Sequence, residues 1–518
     1  MTLDTISNDD PDRPSFAGFP AEAGPPLRSG ARATALTTAV SLVLVGGVVT
    51  AAIRGAGHDA TAEKLAPAAS FAFAEVDLSL ADGQSSALTS FLGHFPDSPT
   101  HKGNGSIRDR VLRAMLRDSS DPHVDYDKDV KPWLGDHAAV AGFVDADGKP
   151  QAEFMLQSKN DEAARRSLHR ADPKLGVAFS HGYAVISESQ SAADAAVRAA
   201  AKSSLANAPH FHSDLSRLTG PQLISGWVDV AAAARAATKV SGGVNPLRTL
   251  PGGVFGGAKS LEQVKGRAVF GVRATKTYAE VVAQSIDASP ASTSGVSSDL
   301  LTQLPDATLA GAEIASPGKI VAAGWGVVSG LFGMATSVPG TIDPSHPPVI
   351  GGPIPPGQSP AAQIEKATGL HMPGDAETLL GSAMVVAYGG LQGQGMPKIA
   401  LVTRPTNLSA ADALAEHSLE VLSRNAPVPL SIGTRGSNLV VATTDDYRSQ
   451  VEIGGHLGAQ PGFTAAMGSV PDRVSFAAYV DLGNIVPLFS HGQRDLDKLA
   501  GLGIWASSDK FQLRVVVH

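Results

Sequence analysis

The chain has 518 residues, of which 43% are apolar and 17% charged, with a net charge of −8 and no cysteine. The charged fraction lies below the roughly 25% of an ordinary soluble domain, while the apolar fraction excludes a wholly disordered chain. Lack of cysteine excludes disulfides, thiolate metal sites, iron–sulfur clusters and cysteine nucleophiles, and the absence of a Lys/Arg block argues against nucleic acid as a partner.

Residues 1–32 are polar and broken by Pro11, Pro14, Pro20, Pro25 and Pro26, so they read as a disordered tail. Ala33 to Ile53 is an uncharged apolar run with Arg32 and Arg54 at its ends. At helical rise it reaches roughly 31 Å, the thickness of a bilayer's hydrocarbon core. We read it as one uncleaved transmembrane helix. The rival readings are a buried core helix and a signal peptide cut near Ala60-Thr61-Ala62. Arg28 and Arg32 on one side balance Arg54 and Lys64 on the other, so charge alone sets no orientation. Residues 54–66 read as a linker.

Beyond the linker the chain repeats itself. Pro67–Val76 matches Pro305–Ile314, and Trp133–Val140 matches Leu379–Val386. Gly182–Ile186 matches Ser437–Val441, and Gly226–Val230 matches Ala478–Leu482. Each half closes on two apolar runs around a polar turn, at Thr275-Lys276-Thr277 and at Ser507 to Lys510. Ordered recurrence at so long a period indicates a tandem duplication, with repeats at 67–290 and 298–518.

Strand-like alternation marks Phe71–Leu78, Ala138–Val144, Ala152–Gln157, Leu223–Val230 and Arg267–Ala274. Helical patterns mark Ser106–Arg117, Asp161–Arg170, Ala192–Ala201 and Ala410–Leu422, with start signals at Asn160 and Asn407. Clustered strands with short turns imply an α+β fold, a largely antiparallel sheet with helices on one face. Ser241–Gly257 and Ser337–Pro360 read as exposed Gly- and Pro-rich loops.

Two stretches, Pro67–Gln84 with AEVDLSLADGQ and Tyr126–Val140 with YDKDVKPWLGDHAAV, resemble hallmarks of domain-of-unknown-function family 3352. That family comprises single-pass envelope proteins of actinobacteria. The resemblance covers most of residues 60–518 and is weaker in the second half, where Met372-Pro-Gly-Asp375 stands near the place of the acidic run. It implies a cytoplasmic tail and an extracytoplasmic domain in the cell envelope. It implies no reaction and carries over no catalytic residue.

Candidate chemistry is sparse. Gly253 to Ser260 nearly fits a phosphate loop, but Ala258 stands where the glycine before Lys259 is needed. His210 and His212, with Asp214, could offer two imidazoles to a metal, although a polar helix start before Leu215 serves equally. Glu75/Glu313 and Asp229/Asp481 recur at equivalent positions and could act as acid–base pairs. The two aspartates also suit helix N-caps. Asp121–Lys131 is acidic but lacks the spacing of a calcium loop. Ile320–Met334 is apolar on nearly every side. It could be a fully buried helix, dip into the membrane interface, or line a cavity for an apolar ligand. No catalytic, cofactor-binding or metal set is assigned, and the ligand site is left open. The residues favour non-enzymatic binding or scaffolding of an envelope protein, with an apolar-ligand or lipid carrier next and a cryptic hydrolase last.

Overall fold

The computed structural model describes residues 61–78, 84–95, 106, 108–110, 112–113, 125–240, 265–288, 295, 299–321, 365–366, 368–392, 395–425, 429–489 and 496–518. The tail, the apolar run Ala33–Ile53, the near-phosphate loop and the segments 241–257 and 337–360 lie outside them. Among the described residues, no helix is long and apolar enough to cross a membrane.

The first half supplies eight strands: β1 (Ser70–Asp77), β2 (Leu134–Val144), β3 (Pro150–Ser158), β4 (Gly176–Ser180), β5 (Tyr183–Ser187), β6 (Ile224–Asp229), β7 (Arg267–Ala274) and β8 (Tyr278–Ile286). The second supplies β9 (Ala310–Ala315), β10 (Ala383–Gln392), β11 (Met396–Thr403), β12 (Ser431–Arg435), β13 (Asn438–Ala442), β14 (Phe476–Val480), β15 (Leu499–Ala506) and β16 (Lys510–Val517). The fold is α+β, and among the described residues all sixteen strands join one sheet. From the centre outward the first half runs β8-β7-β6-β1-β2-β3-β5-β4 and the second β16-β15-β14-β9-β10-β11-β13-β12. The order is therefore the same in both halves, and every neighbouring pair is antiparallel. The matched sequence positions keep their register: Glu75 faces Ala139 and Ser225, and Glu313 faces Val385 and Ala477.

Helices cover both faces, which corrects the expected single helical layer. The helices of the first half are α1 (Gln84–Gly93), α2 (Asp161–Ala171), α3 (Gln190–Lys202), α4 (Phe211–Leu215) and α5 (Val230–Val240). Side chains alternate along a strand, so neighbouring residues enter different cores. Phe73, Met155, Trp227 and Val269 pack with Phe211 of α4 and Val197 of α3. On the opposite face, Ile224 and Val272 meet Leu88, Phe91 and Leu92 of α1, while Leu156 and Ala138 meet Ala164 and Leu168 of α2. Alternation alone shows that a strand has two faces, not which one carries helices.

The second half adds α6 (Asp299–Thr302), α7 (Gly374–Leu380), α8 (Leu408–Asn425), α9 (Asp445–Ile453), α10 (Pro461–Met467) and α11 (Leu482–Phe489). Here α6, α9 and α10 share one core with Val385, Val402 and Tyr479, and α8 packs on the other side against Leu439 and Val441. A second correction concerns the linker. Ala62, Leu65 and Ala66 are buried in the same core as Phe73, so residues 61–66 belong to the folded body.

The two halves meet at β8 and β16. Val281 pairs with Leu513 and Glu280 with Arg514. Val281 and Leu513 follow equivalent turns, closed by Thr275 N donating to Tyr278 O and Ser507 N to Lys510 O. A residue thus faces its own repeat counterpart, which puts a local two-fold axis through that pair. Glu280 is almost wholly buried there. Its carboxylate accepts from Arg273 Nε and from Arg514 Nε (2.8 Å), with Arg514 Nη2 at 2.7 Å. The Arg514 guanidinium also lies 4.1 Å from the Tyr278 ring centroid. Removing the central anion leaves two partly buried arginines unpaired. Glu280→Ala should destabilise the chain by about 3 kcal/mol, read from the urea midpoint. A loss below about 0.5 kcal/mol would mean that the seam does not need this cluster.

Candidate functional site

The repeat-equivalent glutamates are not brought together. Glu75 and Glu313 are both fully buried, but β1 and β9 stand seven strand spacings apart, roughly 34 Å. Glu313 Oε2 accepts from Leu301 N at 2.9 Å, tying α6 to β9. Burial pushes its carboxyl up to about 7; Asp299 adds to the rise, while the Leu301 amide and Arg404 oppose it. Asp229 and Asp481 cap helices: Ala232 N donates to Asp229 Oδ1 (2.8 Å) and Asn484 N to Asp481 Oδ1 (3.0 Å).

The histidine pair resolves similarly. His210 stands at the N-terminus of α4 with φ 72°. His212 Nε2 lies 3.4 Å from Glu63 Oε1. Asp214 is buried and accepts from Trp227 Nε1 (3.0 Å) and Arg267 Nε (2.6 Å). It therefore fastens α4 to β6 and β7. Among the described residues, no three His, Asp or Glu side chains converge on a possible metal position.

The acidic run is described from residue 125 on and forms a clasp. Asp125 accepts from the amides of Asp127 and Lys128, starting the helical turn Tyr126–Val130. Arg113 pairs with Asp127 at 2.8 Å, and Arg170 pairs with Asp129. Tyr126 Oη donates to Asp109 Oδ1 (2.7 Å), and Lys131 Nζ to Asp109 Oδ2 (2.9 Å). Burial alone would raise the Asp109 carboxyl, but these bonds and the Lys131 charge outweigh it and bring it down to about 2. The described carboxylates of the run, Asp125, Asp127 and Asp129, are thus held by protein donors. Tyr126→Phe should lower stability by about 1–2 kcal/mol in thermal unfolding at neutral pH. No change would mean that Lys131 alone satisfies Asp109.

Glu153 on β3 is a different case, and sequence reading missed it. It is fully buried and, among the described residues, neither oxygen accepts a hydrogen bond. It faces Ala141, whereas the corresponding pair in the second half is Ala400 facing Ala387. Burial pushes its carboxyl up to about 8. The folded state therefore holds this proton more tightly than the unfolded chain does. The resulting stability is full below the ordinary carboxylate range and is lost as pH rises through about 8. Glu153→Gln should gain on the parent chain by roughly 1.4 kcal/mol per pH unit between about pH 5 and 8. A pH-independent difference would contradict this.

The described surface holds one further feature of note, an open cleft of about 320 Å³ along the outer edge of β4. Its walls are α2 and α3, and its lining includes Arg165, Phe179, Gln190, Asp194, Val197 and Arg198. The Gln190 amide bonds both main-chain groups of Val177: its Oε1 accepts from N at 3.1 Å and its Nε2 donates to O at 3.2 Å. Arg165 lies 4.9 Å from the Phe179 ring centroid. The helical patterns of α2 and α3 were legible in the sequence, but not that both overhang one strand edge.

Of the apolar run Ile320–Met334, only Ile320 and Val321 are described. Both are helical, and Ile320 is 43% exposed.

No family model matches the chain, and no curated protein matches it in sequence. Among solved structures, the chain is similar to crystal form I of TP0453 at 10% identity. The match covers 43% of this chain and 77% of that one, with a TM-score of 0.19, too low to carry an argument.

Proposed function

We propose that the chain is a non-enzymatic protein of the cell envelope, anchored by the single span Ala33–Ile53, whose duplicated α+β region binds or scaffolds a partner outside the membrane. The resemblance to domain-of-unknown-function family 3352 supports this placement, as does the length of the uncharged run. The observation that carries the binding role is where the charged groups go. The clasp around Asp109, the Asp214 cluster and the seam at Glu280 each fasten neighbouring elements to one another. The candidate acid–base carboxylates stand far apart, while the β4 cleft is open at the surface.

A second reading, an apolar-ligand or lipid carrier, is favoured by one observation. Val386, Leu391, Met396 and Ile399 on β10 and β11 are 40–53% exposed. The two readings separate by native mass spectrometry of the full chain released from detergent: a retained apolar ligand supports the carrier, and a ligand-free mass supports the partner-binding reading.

The chain's lack of cysteine makes its topology directly measurable. Ser7→Cys and Ser508→Cys are labelled with a membrane-impermeant maleimide in intact cells. Ser508→Cys should react at once and Ser7→Cys only after permeabilisation. The reverse pattern, or equal labelling of both, would overturn the outward placement.

A further inference from the structure

We propose that the slot along the outer edge of β4 is a docking site for an extended acidic segment of another protein, which pairs with β4 as an added strand. This rests on the partner-binding reading and names the partner's chemistry.

The edge of a sheet presents main-chain donors and acceptors to any extended chain that reaches it. At β4 these groups point outward at Val177 and, two residues on, at Phe179. The Gln190 amide occupies the position that a partner strand's peptide group would take, with one bond to Val177 N and one to Val177 O. It acts as a placeholder at one end of the slot and leaves Phe179 open at the other. The helices α2 and α3 pack on opposite faces of the sheet here, and the cleft is lined by Arg165 of α2 and by Gln190, Asp194, Val197 and Arg198 of α3.

Charge sets the kind of segment. Arg198 on α3 is exposed and, among the described residues, has no ion-pair or hydrogen-bond partner. On the α2 side, Arg165 donates to Val177 O at 3.4 Å, lies over Phe179 and lines the cleft. The one carboxylate in the lining, Asp194, accepts from Gln190 Nε2 at 2.9 Å. Successive residues of an added strand point to opposite faces. Two adjacent acidic residues would therefore meet Arg198 and Arg165 in turn, while apolar neighbours cover Val197 and Phe179.

The molecule contains its own comparison. Asn160 and Asn407 cap α2 and α8, and Ser189 and Thr444 cap α3 and α9, which fixes the equivalence of the helices. By that alignment Arg165 corresponds to Asp412, Arg198 to Ile453, Phe179 to Thr434 and Gln190 to Asp445. Asp445 accepts from the Ser431 hydroxyl and makes no bond to the strand's outward main chain. Both arginines are thus peculiar to the first half, although the scaffold under them is shared. Duplication alone does not produce that difference.

The test uses the full chain in detergent and fluorescence anisotropy of a labelled hexapeptide with two adjacent glutamates flanked by valine and threonine. A counterpart with lysines in place of the glutamates is the control. The glutamate peptide should bind saturably and weaken as salt rises. Arg198→Glu, an exposed change that spares the fold, should weaken it at least tenfold. Gln190→Ala removes the placeholder and should strengthen it severalfold. The lysine peptide should not compete. Binding that ignores Arg198→Glu, or that weakens in Gln190→Ala, would overturn the proposal. So would the absence of saturable binding, which leaves the outward placement to its own labelling test.

Discussion

Two half-molecules are joined by one antiparallel contact between β8 and β16, and the rest of the architecture depends on that contact. Each half on its own would end in an unpaired strand at this position, with a row of free donors and acceptors. Pairing the two edges satisfies both rows and, among the described residues, produces one sheet with β4 and β12 at its margins. The register places Val281 opposite Leu513, its own repeat counterpart, so the junction has the geometry of a two-fold dimer interface built within one chain. Glu280, held between Arg273 of β7 and Arg514 of β16, favours that register, because a slip of β16 by one residue would take Arg514 away from the buried carboxylate.

The cores cross the same junction. Val517 and Leu499 from the second half pack in the cluster formed by α1 of the first, and Tyr278 of the first packs against the main core of the second. Away from the junction the repeats keep their scaffold and diverge in chemistry. Trp227 and Tyr479 occupy equivalent places, each packed on a phenylalanine of the preceding short helix, Phe211 or Phe463. Only Trp227 is tied to an aspartate. Glu153 stands where the second half has Ala400, and Arg165 and Arg198 beside β4 stand where the second half has Asp412 and Ile453 beside β12. The surfaces, not the topology, distinguish the two halves.

Much of the backbone was legible in the sequence because it rests on local signals. Arg267–Ala274 is the strand that its alternation indicates, and Asn160 and Asn407 cap the helices that they precede. The repeat was legible because both copies keep their strand-forming residues in the same order. What was not legible is non-local. The joining of the repeats into one sheet depends on which of many similar alternating runs become neighbours. The role of Asp214 depends on Trp227 and Arg267, which reach it from β6 and β7. The β4 cleft depends on two helices meeting over one edge, and neither helix carries a motif. Glu153 was hidden because one acidic residue in a strand ordinarily marks the solvent face.

The central claim is that β8 and β16 pair in this register and make one sheet of the two repeats. The cysteine-free chain allows a direct measurement: Val281→Cys/Leu513→Cys, oxidised and then counted for free thiols. Directly opposed residues lie within disulfide reach in an antiparallel pair. The account predicts one bond within each chain, with no free thiol left and faster migration on a non-reducing gel. Two free thiols, or a bond between separate chains, would contradict it.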